Sequence, residues 1–190
     1  AGKGRGLFFA LPTMATAVAM FSRASRIVGR MFNNPSVTLA HGRAGLSVPF
    51  REIVQGGRTG GRNEITSSDW LAASNRRALL ADVGIGTIDQ ALLSVLPVRF
   101  QTLRSYGLSS KILVVDEVHE MGEPYIAEEL TALLKMHRAA GGSAILLTAT
   151  LPMDLRARLL AAYDGVSDSP AYPALTVAGA PAITEFPPED

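Results

Sequence analysis

The sequence predicts an α/β fold in which a parallel sheet is flanked by helices on both faces. Three observations predict it. Short apolar runs at residues 5–11, 79–84, 111–115 and 143–147 alternate with stretches of helical period. The runs are apolar nearly throughout, as strands covered on both faces are. The length, 190 residues, suits one domain or a piece of a larger one.

Residues 5–11 (RGLFFAL) are rich in Phe and Leu and read as a buried strand, ended by Pro12-Thr13. From Met14 the period changes. Ala17, Met20, Phe21, Ala24, Val28 and Met31 recur at three- and four-residue steps, which is one face of a helix. Arg23, Arg26 and Arg30 follow the same spacing on another face as a basic stripe. Asn33-Asn34-Pro35 stops this helix, and residues 36–39 (SVTL) have strand character. Residues 41–68 interleave Gly42, Gly45, Gly56, Gly57, Gly60 and Gly61 with Arg43, Arg51, Arg58 and Arg62. A loop of that length is usually functional or disordered.

Residues 70–77 are predicted to form a short helix, and 79–84 a strand leading into Gly86-Thr87. A helix over 88–96 is halted by Pro97, and a second over 98–106 is ended by Gly107. Residues 111–115 (KILVV) form a buried strand ending abruptly in Asp116-Glu117. Pro124 fits a helix first turn. Ile126, Leu130, Leu133 and Leu134 supply that helix's buried face, and Gly141-Gly142 end it. Residues 143–147 (SAILL) are the next strand, Thr148-Ala149-Thr150 leaves its end, and a helix follows over 153–163. Beyond Gly165 the chain holds five of its 11 prolines. The expected division is therefore one domain over 1–163 and a linker or irregular tail over 164–190.

Composition excludes several classes. Hydrophobic residues are 47% and charged residues 18%, a globular mix. The absence of Cys rules out disulfides, a thiolate nucleophile and a cysteine metal site, and suits a reducing, cytoplasmic compartment. Apolar runs of about five residues are far too short to span a membrane. Lys3 and Arg5 precede an apolar run as in a signal peptide, but that run breaks at Pro12-Thr13 into a helix carrying arginines. The net charge of +1 is a cancellation. Residues 1–80 hold 11 Lys/Arg and 3 Asp/Glu, a net of +8, and residues 81–190 hold 7 and 14, a net of −7. Such asymmetry suits a basic face for a polyanion beside an acidic region with another task, although both charge sets also fit plain surface solvation.

In parallel sheets, sites lie beyond the carboxyl ends of strands. Asp116-Glu117-Val118-His119 is the sharpest such position. Two adjacent carboxylates at a strand exit are costly to bury unpaired, and a divalent cation would compensate one. Mg²⁺ takes one or two carboxylates plus phosphates and waters. Asp116 would hold it, and Glu117 would orient or deprotonate an attacking water. A polar strand end with Glu117 capping a loop is the plainer alternative.

Zinc is excluded at His119, because the residue four on is Glu123 and Gly122 and Pro124 break the helix. Gly84-Ile85-Gly86-Thr87-Ile88-Asp89 starts like a dinucleotide fingerprint but carries Asp89 in place of the third glycine. The amides near Gly86 and the Thr87 hydroxyl could still hold a backbone phosphate. Ala1-Gly2-Lys3-Gly4 is not a P-loop, since no strand precedes it and Lys3 is followed by glycine. Thr148-Ala149-Thr150 offers two hydroxyls one strand–helix unit after the acidic motif, or is simply a strand end.

Together these residues resemble a superfamily 2 helicase motor. Asp116–His119 looks like its acidic motif II of the DExH type, and Thr148-Ala149-Thr150 like motif III. Ala10-Leu11-Pro12-Thr13 looks like motif Ia, and Gly86-Thr87 like the later GT motif. More narrowly, residues 11–21 (LPTMATAVAMF), 83–97 (VGIGTIDQALLSVLP), 112–121 (ILVVDEVHEM) and 146–152 (LLTATLP) resemble the CRISPR-associated helicase–nuclease of type I interference systems. The resemblance covers roughly residues 5–163.

It implies the first RecA-like lobe of an ATP-dependent motor fed with single-stranded DNA by a surveillance complex. Asp116 would bind Mg²⁺-ATP, and Glu117 would activate water. His119 with Thr148, Ala149 and Thr150 would couple hydrolysis to strand movement. Pro12, Thr13, Thr16, Gly86 and Thr87 would contact the DNA backbone.

The sequence departs from that pattern in three ways. It carries no P-loop, no second lobe with an arginine finger, and no paired His-Asp nuclease motif. The second lobe and an HD nuclease domain are expected in the full protein, and ATP hydrolysis is not expected of this chain alone. Two other readings stay open. One is a small metal-dependent phosphohydrolase using Asp116, Glu117 and Glu120. The other is a non-catalytic nucleic-acid-binding module.

Overall fold

A computed structural model describes residues 4–31, 35–40, 78–163, 175–177 and 184–186. The expected loop over 41–68 and short helix over 70–77 lie outside the described residues, as do Lys3, Asn33, Asn34 and His41. The chain runs through β1 (Leu7–Leu11), α1 (Met14–Met31), β2 (Val37–Ala40), β3 (Val83–Thr87), α2 (Ile88–Leu92) and α3 (Gln101–Ser109). It continues through β4 (Ile112–Val115), a 3₁₀ turn (Val118–Met121), α4 (Pro124–Ala139), β5 (Ser143–Leu146) and α5 (Met153–Ala161). Two short strands, β6 (Leu175–Val177) and β7 (Thr184–Phe186), pair antiparallel within the stretch expected to be irregular.

The first five strands form one parallel sheet in the order β2-β3-β1-β4-β5. The chain fills one side of β1 with β2 and β3, then crosses to the other side for β4 and β5. That reversal opens a crevice at the carboxyl ends of the strands flanking β1.

Side chains of β1 alternate between the two faces. Leu7, Phe9 and Leu11 meet Ala17, Phe21, Ala24 and Val28 of α1, together with Val37, Leu39, Val83 and Ile85. Phe8 and Ala10 join Leu113 and Val115 on the opposite face, under Leu108, Leu130, Leu133, Leu134, Leu155 and Leu159 from the other helices. Among the described residues, one helix on one face and four on the other satisfy the expected two-sided cover. The cover is uneven. On β5, Ala144 and Leu146 face the larger core, while Ile145 is 48% exposed on the α1 side. Leu147, just past the strand, is 46% exposed.

Several boundaries differ from the sequence expectation, each for a physical reason. The third strand is Val83–Thr87 rather than 79–84, which puts Gly86 inside the strand instead of on the turn after it. There its backbone runs so close to β2 that an added Cβ would overlap the Ala40 carbonyl oxygen. A glycine in a strand often marks such an approach. The helix over 88–96 is Ile88–Leu92 followed by turns. The one over 98–106 is Gln101–Ser109, because Phe100 takes a left-handed backbone (φ 66) and starts the helix after itself. Gly107 therefore lies within α3, where a Cβ would sit 2.8 Å from the Leu79 carbonyl oxygen. Lys111 precedes β4 and is buried, its ammonium donating to the Ala81 carbonyl. Burial pushes the Lys111 pKa down, against the Asp82 charge.

Candidate nucleotide and nucleic-acid site

β4 ends at Val115, and the peptide leaving it is held on both sides. The Asp116 N–H donates to the Ala10 carbonyl of β1 at 3.0 Å. The Leu147 N–H donates to Val115 at 2.8 Å, and the Val118 N–H donates back to Leu147 at 3.0 Å. The acidic motif is thus fixed between the exits of β1 and β5. Val118 and Met121 are buried and anchor the 3₁₀ turn that follows. Asp116 and Glu117, between these anchors, are half-buried.

Glu117 is one of two non-glycine residues with positive φ among those described (φ 53, ψ 48). That conformation costs about 1 kcal/mol or more and clusters at functional positions. It turns the Glu117 N–H onto Asp116 Oδ1 at 3.0 Å and swings the Glu117 side chain toward His119.

His119 Nδ1 lies 3.3 Å from Glu117 Oε2 and 3.2 Å from Thr148 Oγ1. The tautomer follows from Thr148. Its single hydroxyl proton is given to the Thr150 carbonyl at 2.5 Å. Thr148 Oγ1 can therefore only accept from His119, which places a proton on Nδ1. A continuous polar path runs from the Glu117 carboxylate through the imidazole and Thr148 to the Thr150 backbone. Of the two threonines, Thr148 enters this path through its hydroxyl and Thr150 through its carbonyl. Ala149, between them, is exposed.

The other candidate residues stand at the neighbouring strand exits. Leu11 is in register with Thr87, so Pro12 and Thr13 leave β1 beside the end of β3. Thr13 and Thr16 close a reciprocal cap on α1. The Thr16 N–H donates to Thr13 Oγ1 at 3.2 Å, and the Thr13 N–H donates to Thr16 Oγ1 at 3.3 Å. This is a capping box with Thr in the place of the usual Glu or Gln, a T-x-x-T signal that the sequence reading passed over. Thr87 precedes α2 without a side-chain cap bond, so its hydroxyl is not committed to the helix. Gly86 is buried and serves packing against Ala40. Among the described residues, no group of three or more His, Asp or Glu side chains could hold a metal ion. Asp116, Glu117 and Glu120 thus do not converge as the phosphohydrolase reading requires.

Two polar networks that the sequence reading missed lie below this edge, one at the surface and one buried. Asp82 Oδ2 accepts from the Ser36 hydroxyl at 2.6 Å and the Ser36 N–H at 2.9 Å. Burial raises the Asp82 pKa, but these bonds and the Lys111 charge outweigh it and leave the carboxyl below its ordinary value. His137 is fully buried in α4, with Nε2 donating to the carbonyls of Leu108 (3.2 Å) and Lys111 (3.0 Å). Nδ1 therefore accepts from the Tyr163 hydroxyl at 2.7 Å. Its spacing from Leu130, Leu133 and Leu134 was the available signal for burial.

No protein-family model matches the chain. Curated relatives do. The chain is 38% identical over 187 residues to the CRISPR-associated endonuclease/helicase Cas3 of Escherichia coli (strain K12), covering 95% of this chain and 21% of that protein. It is 39% identical over 191 residues to Cas3 of Thermus thermophilus, covering 94% of this chain and 20% of the relative. The chain resembles one segment of Cas3.

It spans about a fifth of the length of these relatives. The crystal structure of T. fusca Cas3 superposes with a TM-score of 0.80 at 31% identity, covering 96% of this chain and 21% of that one. T. fusca Cas3-ATP gives 0.79 at 30% identity, with 95% and 21% covered. A CRISPR RNA-guided surveillance complex, pre-nicking, gives 0.52 at 25%, with 96% and 22% covered. The five-stranded parallel sheet is that of a RecA-like lobe, as in the Cas3 structures. No described helix is long and apolar enough to cross a membrane.

Proposed function

We propose that the chain is the part of a cytoplasmic, ATP-dependent DNA-translocating motor of CRISPR interference that senses nucleotide state and holds part of the DNA track. One observation carries the reading: His119 Nδ1 stands between the Glu117 carboxylate and the Thr148 hydroxyl. Glu117 orients or deprotonates the water that attacks the nucleotide. Any change in its charge or position acts on His119, and through Thr148 on the segment leaving β5. That segment is the route from hydrolysis to strand movement. Thr13, Thr16 and Thr87 at the adjacent strand ends hold the DNA backbone, and Pro12 and Gly86 shape the exits that present them.

The donor set fits Mg²⁺. Asp116 offers Oδ2, its Oδ1 being taken by the Glu117 N–H, and two half-buried carboxylates leave room for waters and phosphates. When bound, magnesium neutralises charge on the phosphates. The nucleotide reading draws support from Cas3 having been solved with ATP, and the surveillance-complex partner from the structure of that title.

The 190 residues contain no G-x-x-x-x-G-K-[ST]. Turnover accordingly needs a phosphate-cradling strand and loop and a second lobe from the rest of the protein, and a separate HD nuclease domain would degrade the strand. Among the described residues no strand pairs with the outer edge of β5, flanked by exposed Ile145 and Leu147, where such a strand would fit. The test is Thr148→Val in the whole protein. Stimulation of ATP turnover by single-stranded DNA should fall by about two- to fivefold, the effect of losing one hydrogen bond of about 0.5–1 kcal/mol. Unchanged stimulation would remove the coupling role.

A further inference from the structure

We propose that the outer face of α1 is a second phosphate track, which takes the backbone of a DNA strand as it continues from the Thr13–Thr16 turn. The inference rests on the reading of that turn as a DNA contact and extends it along the helix. At 100° per residue, Thr16, Ala19, Arg23, Arg26 and Arg30 fall within about 80° of arc. The sector lies opposite Ala17, Phe21, Ala24 and Val28, which face the sheet. All five residues of the outer sector are exposed. Three guanidiniums therefore stand in line with Thr16, pointing away from the core.

The charge on this face is of one sign. α1 contains no Asp or Glu along its 18 residues. None of the three arginines is ion-paired with a carboxylate among the described residues. Arg26 gives Nε to the Ser22 carbonyl at 3.3 Å, and its side chain is exposed. Solvating faces ordinarily intersperse both signs, whereas a like-signed row of arginines matches a row of phosphates, which the guanidinium fork binds well. Thr16 to Arg30 spans about 21 Å at 1.5 Å per residue, room for about six nucleotides at 3.4 Å each. Ile27, 55% exposed beside Arg23 and Arg30, gives apolar surface for a sugar or base.

The test uses the 190-residue chain and a labelled 20-nucleotide DNA single strand, titrated at several salt concentrations. The triple variant R23Q/R26Q/R30Q should weaken binding about tenfold or more. It should also lower the slope of log affinity against log salt by about 2, three contacts at roughly 0.7 each. R23K/R26K/R30K should retain the slope, which separates charge from any loss of folding. Gln-variant binding equal to the parent in affinity and slope overturns the inference. So does a polyglutamate of matched charge that binds the parent as tightly and is lost in the same variant, because the face would then serve an acidic protein. Thr87→Ala distinguishes the parent reading. If it leaves binding untouched while the Gln variant does not, the track stands and the strand-exit contact falls. The reverse pattern leaves the contact and removes the track.

Discussion

The His119–Thr148 bond can be measured as a coupling energy in the chain itself. The perturbations are His119→Ala and Thr148→Val, singly and together. Thr148→Val keeps the side-chain shape and removes the hydroxyl that accepts from Nδ1. The bond is 3.2 Å long, within the normal range, but the imidazole is 34% exposed, so water competes for both partners. A typical intramolecular hydrogen bond contributes about 0.5–1.5 kcal/mol, and the exposure here places this one at about 0.5–1. The assay is urea unfolding of the four proteins, with the non-additive remainder of the cycle as the readout. A coupling of about 0.5–1 kcal/mol is expected, equivalent to a melting shift of roughly 1–4 °C in a domain of this size. Additivity within error would refute the proton assignment, and with it the path from Glu117 to the segment after β5.

Other consequences follow from the same geometry. Gly86→Ala should destabilise the chain by about 1–3 kcal/mol, because its Cβ has nowhere to go against the Ala40 carbonyl; a calorimetric melt at or above that of the parent would contradict this. Asp82 has a lowered folded pKa, so its stabilisation is fully present above the unfolded value near 3.8 and is lost as pH falls through the folded one. The stability gap between parent and Asp82→Asn should be constant above about pH 5 and shrink below pH 4, as read by urea midpoints across that range.

Burial holds the His137 pKa below its ordinary 6.5, against the pull of the Lys111 and Leu108 carbonyls. The unfolded chain therefore takes up a proton first as pH falls from about 6.5, and stability should drop in that window. Tyr163→Phe should cost about 1–3 kcal/mol by leaving a buried Nδ1 without its donor. Equal urea midpoints for parent and variant at pH 7.5 would show that the pairing contributes nothing.

The sheet was legible in the sequence because its strands are apolar on both sides and end in polar residues. The 5–11, 111–115 and 143–147 runs each lie within two residues of the observed strands at either end. The placement of the candidate residues was legible for the same reason, since Thr13, Asp116 and Thr148 stand where hydrophobic runs stop. Glycines misled the reading of 79–107. Gly86 and Gly107 looked like punctuation, yet each is a place where backbones touch inside an element. Nothing local announces such contacts, because they depend on Ala40 and Leu79, distant in sequence. Division of labour within Thr148–Thr150 was hidden too: hydroxyl versus carbonyl depends on a bond closing two residues later. The left-handed Glu117 is equally silent in sequence, because the strain is imposed by the anchors Val118 and Leu147.

The most direct measurement is ATP turnover by the whole protein carrying Glu117→Gln, alongside its nucleotide affinity. Loss of the general base should lower turnover by about 10²–10⁴-fold, with or without single-stranded DNA, while nucleotide still binds. Turnover at the parent rate would show that Glu117 does not act on the attacking water, and the motor reading of this acidic motif would fall.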